Sequence, residues 1–149
     1  MQTFLPYADF EKTAKSLDYK RLGKQRVEGY QILQALEKRR NGITKGAWIN
    51  HPCVKMWTNH EIALTQYCIA MTKEWISRGY NDTMLPRFEA MLESFRQLGY
   101  SEADPFWMGD ARVHLSHQSN LVKKLADHYA PQFVGVADDM PYYWADDQL

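Results

Sequence analysis

Cysteine is scarce in this 149-residue chain, with Cys53 and Cys68 as the whole complement. Two thiols do not build the disulfide framework of a small secreted scaffold, so both are expected to be reduced in a cytoplasmic protein. If one helix spanned them, they would stand roughly 22 Å apart, beyond the reach of a disulfide. No stretch approaches 18 apolar residues, so no membrane span is expected. The opening MQTFLPYADF has neither the basic nor the apolar region of a signal peptide. Net charge is zero, which argues against a partner held by bulk charge alone. The five histidines (51, 60, 114, 117 and 128) and two cysteines show no C-x2-C or H-E-x-x-H spacing, so no metal is expected. There is no Gly-rich phosphate loop, no G-x-S-x-G and no internal repeat, so no organic cofactor is expected either. No run alternates with period two for long enough to predict a strand.

Helical signals fill the space that these absences leave. Asp9 can cap a short helix through Lys15. Asp18 can cap a long one from Tyr19 to about Arg40, stopped by Asn41-Gly42, with Leu22, Tyr30, Leu33 and Leu36 toward the core. Asn50-His51-Pro52 opens a helix expected to run to Arg78, with Val54, Trp57, Leu64, Tyr67, Met71 and Trp75 as its buried stripe. Pro86 opens a fourth helix to Leu98-Gly99, with Phe88, Met91, Leu92 and Phe95 inward, and a fifth covers about Arg112 to Ala126. Tyr129 to Leu149, with Pro131 and Pro141, reads as an extended strap. The expected fold is all-α, a single domain over residues 1–149, built as a compact bundle of about five helices. Hydrophobic residues make up 45% of the chain, enough for a core of this size without staples. Five Trp and nine Tyr supply core packing and also flat rings on which bases can stack.

Charge is unevenly placed. Residues 1–60 hold eleven Lys/Arg against five Asp/Glu, while residues 138–149 carry Asp138, Asp139, Asp146 and Asp147 and no cation. A basic front and an acidic tail suggest one polarised face. Within the front, steps of three and four put Arg21, Lys24 or Gln25, and Glu28 on one helix face. A carboxylate set among cations stays ionised and can stabilise a positive intermediate or move a proton, while the cations grip phosphates. The same pattern also fits a solvated helix with intrahelical ion pairs. Gly23 and Gly29 cost this helix about 1 kcal/mol each relative to Ala, which close approach of another backbone would explain. A second polar segment runs from Arg112 to Lys124. It places His114 and His117 on one face, with Ser116, Ser119 and Asn120 nearby, either as pocket donors or as core histidines with satisfied hydrogen bonds.

The helix with Arg21-Leu22 and Glu28, the stretches His60 to Tyr67 and Glu74 to Tyr80, and Ser116 to Lys124 follow an order that resembles the phage endonuclease V type of pyrimidine-dimer DNA glycosylase/AP lyase. The closer resemblance is to that family's broad, mostly uncharacterised bacterial and phage branch. It rests on Asp18 to Glu28, Asn50 to Trp57, Ser116 to Leu121 and Pro141-Tyr-Tyr-Trp144, and covers nearly the whole chain. The resemblance implies a compact helical fold and a free N-terminal α-amine that attacks C1′ of a damaged nucleotide to form a Schiff base. It also implies a glutamate that stabilises the intermediate, basic side chains on a kinked duplex, and a flipped base. Extruding a base costs a few kcal/mol, least where the duplex is damaged.

Carried onto this chain, the resemblance makes the Met1 amine the nucleophile and Glu28 the acid/base. It also lets a phosphate-holding cation fall on Arg21, Arg26 or Lys124. Together with the residue patterns, the expectation is Arg21, Lys24, Arg26 and Lys124 as phosphate contacts and His114, Ser116, His117 and Asn120 as the pocket lining, in a monomer acting on damaged or modified duplex DNA without metal or organic cofactor. Gln2 is too large for removal of Met1, so the amine belongs to Met1 and not to residue 2. Two other readings stay open: the same pocket on another nucleotide or nucleic-acid substrate, and a non-catalytic helical module that binds nucleic acid or protein. A DNA enzyme should show a basic groove with Glu28 and the N-terminus at its floor. A small-molecule enzyme should show a closed polar pocket near His114 and His117. A binding module should leave the N-terminus remote from Glu28.

Overall fold

The computed structural model describes residues 1–145, and these form seven helices and no strand. They are α1 (Phe10–Ser16), α2 (Tyr19–Arg40), α3 (Pro52–Met56), α4 (Glu61–Ser77), α5 (Leu85–Gln97), α6 (Ala111–Lys124) and α7 (Ala126–Tyr129). The all-α expectation holds, with more and shorter helices than the five expected. Helix α4 is central and packs against α1, α2 and α5. Trp57, Trp107, Tyr67, Tyr129 and Phe88 are the largest fully buried side chains.

The expected helix from Pro52 to Arg78 is broken. Trp57 ends α3, Asn59 adopts φ 67°, and α4 starts at Glu61. Asn is among the few residues that take the left-handed conformation at low cost, which is how a helix stops without glycine. The break turns the Trp57 indole into the core, at 5.0 Å and nearly perpendicular to Trp107. The fifth expected helix likewise ends early, at Lys124, with α7 as a separate turn. In α5 only Phe88 is fully buried, while Met91 and Phe95 pack partly exposed against the core.

Asp18 occupies the N-cap position of α2, but its side chain makes no cap hydrogen bond. It pairs instead with Arg21 at 3.2 Å and accepts a hydrogen bond from the Tyr129 hydroxyl. Burial pushes the Asp18 carboxyl upward, but Tyr129 and Arg21 outweigh it and hold the group below its ordinary range. After Tyr129 the described chain has no further α-helix, and residues 140–143 lie along α6. The Met140 and Tyr143 N–H groups donate to Ser119 Oγ and Ser116 Oγ at 3.0 and 3.2 Å. Asp146 and Asp147 of the acidic tail lie outside the described residues.

Side chains of α4, and not another backbone, explain the two glycines of α2. A Cβ on Gly23 would stand 2.8 Å from the Trp75 ring, and one on Gly29 would fall well inside contact distance of Cys68 Sγ. Gly29→Ala is therefore expected to lose about 1–3 kcal/mol by overpacking, even though Ala is the better helix former. Denaturant unfolding of Gly29→Ala, Cys68→Ala and the double variant checks this. The double variant should be less destabilised than the two singles added, and a Gly29→Ala protein as stable as the parent would contradict the packing.

Candidate active site

Chain termini are usually frayed unless something ties them down. Here residues 2–5 are buried and threaded between α2, α4 and α6. From α2, Gln25 Oε1 accepts the Phe4 N–H at 2.8 Å and Gln25 Nε2 donates to the Gln2 carbonyl at 3.0 Å. From α4, the Tyr67 hydroxyl lies 2.8 Å from the Phe4 carbonyl and 2.7 Å from Gln25 Oε1. From α6, the Leu5 N–H donates to His117 Nδ1 at 2.9 Å, His114 Nδ1 bonds the Leu5 carbonyl at 2.7 Å, and Gln118 Nε2 donates to the Pro6 carbonyl at 2.8 Å. The Trp57 indole N–H donates to Thr3 Oγ1 at 3.0 Å. The α2 and α6 helices thus clamp the segment from both sides and fix where Met1 emerges.

Met1 emerges at an open cleft of ≈ 540 Å³ lined by Met1, Gln2, Phe4, Lys20, Arg21, Lys24, Gln25, Glu28, Lys124 and Tyr142. Gln25 donates from the same Nε2 to Glu28 Oε2 at 3.0 Å, so a single amide holds both the N-terminal backbone and the carboxylate. Cys53 feels both charges, and Tyr142 feels that of Glu28. Burial pushes the Cys53 thiol up to about 11, hydrogen bonds with Thr3 and the α-ammonium of Met1 pull it back, and Glu28 raises it further. Burial also pushes the Tyr142 hydroxyl up to about 12, with Arg21 opposing and Glu28 adding to the rise. Lys20, Lys24 and Lys124 are exposed around the mouth. Beyond it, Lys20, Arg21 and Lys124 also line an adjoining hollow with Asp18, Leu125 and His128, which extends the basic surface.

Of the expected site residues, the fold brings Met1, Arg21, Lys24, Glu28 and Lys124 into this one cleft. Arg26 is elsewhere. It pairs with Asp82 and lies 4.3 Å from the Trp75 ring centre, so its charge is spent on joining α2 to the start of α5. His114, Ser116, His117 and Asn120 do not line the cleft. They form the wall behind the N-terminal segment and the seat of residues 140–143. Gln2, Phe4, Lys20, Gln25 and Tyr142 complete the lining. Gln25 shares the helix face on which Arg21 and Glu28 are spaced, which is the signal for its place there. Gln2 Nε2 is buried without a hydrogen-bond partner, while its Oε1 accepts the Thr3 N–H at 2.9 Å. Among the described residues, no group of three or more His, Cys, Asp or Glu is placed to hold a metal ion.

His117 is 1% exposed and must be neutral to accept from the Leu5 N–H. Burial, with His114 adding, pushes its pKa down to about 3. The unfolded chain takes up this proton near pH 6.5 and the folded chain refuses it, so the contribution is fully present above pH 6.5 and is lost as pH falls toward 3. Between pH 6.5 and about 5 the native protein is expected to lose stability through this residue with a slope that approaches roughly 1.4 kcal/mol per pH unit. In His117→Gln, whose amide oxygen can still accept from Leu5, denaturant unfolding across that window should flatten by the same amount. Equal slopes in the two proteins would contradict this.

No helix among the described residues is long and apolar enough to cross a membrane. No curated protein and no solved structure matches the chain. The sequence model of the pyrimidine dimer DNA glycosylase family matches residues 1–88, more than half of the chain. That stretch contains the buried N-terminal segment, all of α2 with Arg21, Lys24, Gln25 and Glu28, and the α4 helix that supports them, while Lys124 and Tyr142 lie beyond it. The chain belongs to the pyrimidine dimer DNA glycosylase family.

Proposed function

We propose that the protein is a DNA glycosylase acting on pyrimidine dimers, and that it cleaves through a Schiff base formed by the α-amine of Met1. The observation that carries this is the threading of residues 2–5 through the core, which delivers the N-terminal residue to the same cleft as Glu28. The neutral amine attacks C1′ of the extruded nucleotide and the base leaves with a proton from that nitrogen; the nitrogen lone pair then opens the sugar ring at the C1′–O4′ bond, O4′ takes up a proton, and the C1′–N bond becomes an iminium. Glu28, held by Gln25, stabilises the positive charge and takes the C2′ proton, so that elimination expels the 3′ phosphate. Lys20, Arg21, Lys24 and Lys124 hold the phosphates on either side. Flipping the nucleotide costs least at damaged sites, which is a source of selectivity in itself.

The cleft is open and basic, unlike the closed polar pocket that a small-molecule enzyme would show, and His114 and His117 line none of it. The test is incision of a duplex with one pyrimidine dimer and of a duplex with one abasic site, using protein with a free and with an acetylated N-terminus. Incision of both duplexes by the free form, and of neither by the acetylated form, is expected. Equal incision by the two forms would remove the amine from the mechanism. Binding without incision of either duplex would leave a non-catalytic module.

A further inference from the structure

Residues 41–48, between α2 and α3, are eight consecutive exposed positions, and they end in an aromatic side chain. Trp48 is 51% exposed and has φ 70°, a conformation that L side chains rarely adopt. The loop is not loose. Arg39 Nη1 donates to the Ile49 carbonyl at 3.2 Å, Asn50 Nδ2 donates to the Thr44 carbonyl at 3.0 Å, and the His51 N–H donates to the Trp48 carbonyl at 3.0 Å. Ile49 is buried beneath it. A well-anchored loop thus holds a large flat ring in solvent on a strained backbone, a combination that clusters at ligand-binding sites.

The ring is also connected to the cleft. Trp48 packs edge-on against His51 at 5.9 Å, His51 against Trp144 at 5.8 Å, and Trp144 against Tyr142 at 5.4 Å. Tyr142 lines the cleft with Glu28, and His51, Trp144 and Tyr142 are each partly exposed. The two ends of this aromatic row are no more than about 17 Å apart, on the order of five nucleotide rises of 3.4 Å. Lys45, in the same exposed loop, is available to a phosphate. Flat rings beside cations, in a row that starts at a catalytic cleft, are what unstacked bases bind, because every base has a π face.

We propose that Trp48 is a DNA contact: a stacking surface for an unpaired base of the strand whose neighbouring nucleotide enters the Glu28 cleft. Opening the duplex to extrude one nucleotide leaves adjacent bases without stacking partners, and an inserted aromatic ring replaces what they lose. The inference rests on the DNA reading of the cleft, but not on the chemistry performed there.

The test uses a duplex with a non-cleavable abasic analogue and 2-aminopurine placed one to five nucleotides to either side of it. Wild-type protein is expected to change the 2-aminopurine emission at one or more of these positions. Trp48→Ala should lose that change and bind on the order of tenfold more weakly, while Trp48→Phe, which keeps a stacking ring, should retain most of both. Thermal unfolding of each variant separates lost binding from lost fold. Trp48→Ala matching wild type in affinity and emission would overturn the stacking role and leave the cleft chemistry untouched. Wild type that binds this duplex through Trp48 yet forms no Schiff base on a true abasic site would uphold the inference and remove the lyase mechanism. Failure of wild type to bind the duplex would overturn both.

Discussion

Glu28→Gln is expected to lower incision by on the order of 10²- to 10⁴-fold while leaving DNA affinity equal to or slightly above that of the parent. The substitution conserves shape and can keep the hydrogen bond that Gln25 Nε2 gives at 3.0 Å. In the proposed mechanism it removes the charge that stabilises the iminium and the base that takes a proton from C2′. It also removes a carboxylate from a cleft edged by Lys20, Arg21, Lys24 and Lys124, so phosphates lose one repulsion. Single-turnover incision and equilibrium binding on the same abasic duplex separate the two effects. Incision within threefold of the parent would take Glu28 out of the chemistry.

Gln25→Leu is expected to damage both fold and activity. Gln25 is 1% exposed, and its one amide serves the Phe4 N–H, the Gln2 carbonyl, the Tyr67 hydroxyl and Glu28. Leucine fills much of the space but leaves the Phe4 N–H and the Gln2 carbonyl buried and unpaired, at about 1–3 kcal/mol each, so a loss on the order of 2–6 kcal/mol follows. The protein that remains folded should turn over on the order of 100-fold more slowly, because an amine displaced by about 1 Å misses its attack geometry. Gln25→Glu, which keeps the acceptor for Phe4 but loses the donors, should fall between the two. Denaturant unfolding, hydrogen exchange at the Phe4 amide and single-turnover incision measure the three consequences. A Gln25→Leu protein with parental stability and rate would show that the N-terminal segment is held by something else.

The parts of this site that are legible in the sequence are those with a helical period. Asp18 and Asn41-Gly42 bracket α2 as the sequence suggests, and steps of three and four do set Arg21, Lys24 and Glu28 around one cleft. Arg26, which the resemblance and not the helical spacing nominates, lies on another flank of α2, toward Trp75 and Asp82, where a cation completes packing. The break at Trp57 is hidden because apolar residues continue on both sides of it, and only Asn59 marks the stop. The N-terminal segment has no period at all. Its place in the core is set by side chains more than twenty, sixty and one hundred residues away, at Gln25, Tyr67 and His117, and no local pattern announces such partners. The polar face of α6 has two readings in the sequence, pocket donors or satisfied core histidines. The hydrogen bonds of His114 and His117 to Leu5 put both side chains in the wall that holds the N-terminal segment.

Borohydride trapping on a duplex with a single abasic site, followed by mass mapping of the linked peptide, tests the central claim most directly. A covalent complex carried by the peptide that begins at Met1, and absent when that amine is acetylated, is the predicted result. A complex carried by a lysine such as Lys24 or Lys124 and indifferent to acetylation, or no complex on DNA that the protein binds, would contradict it.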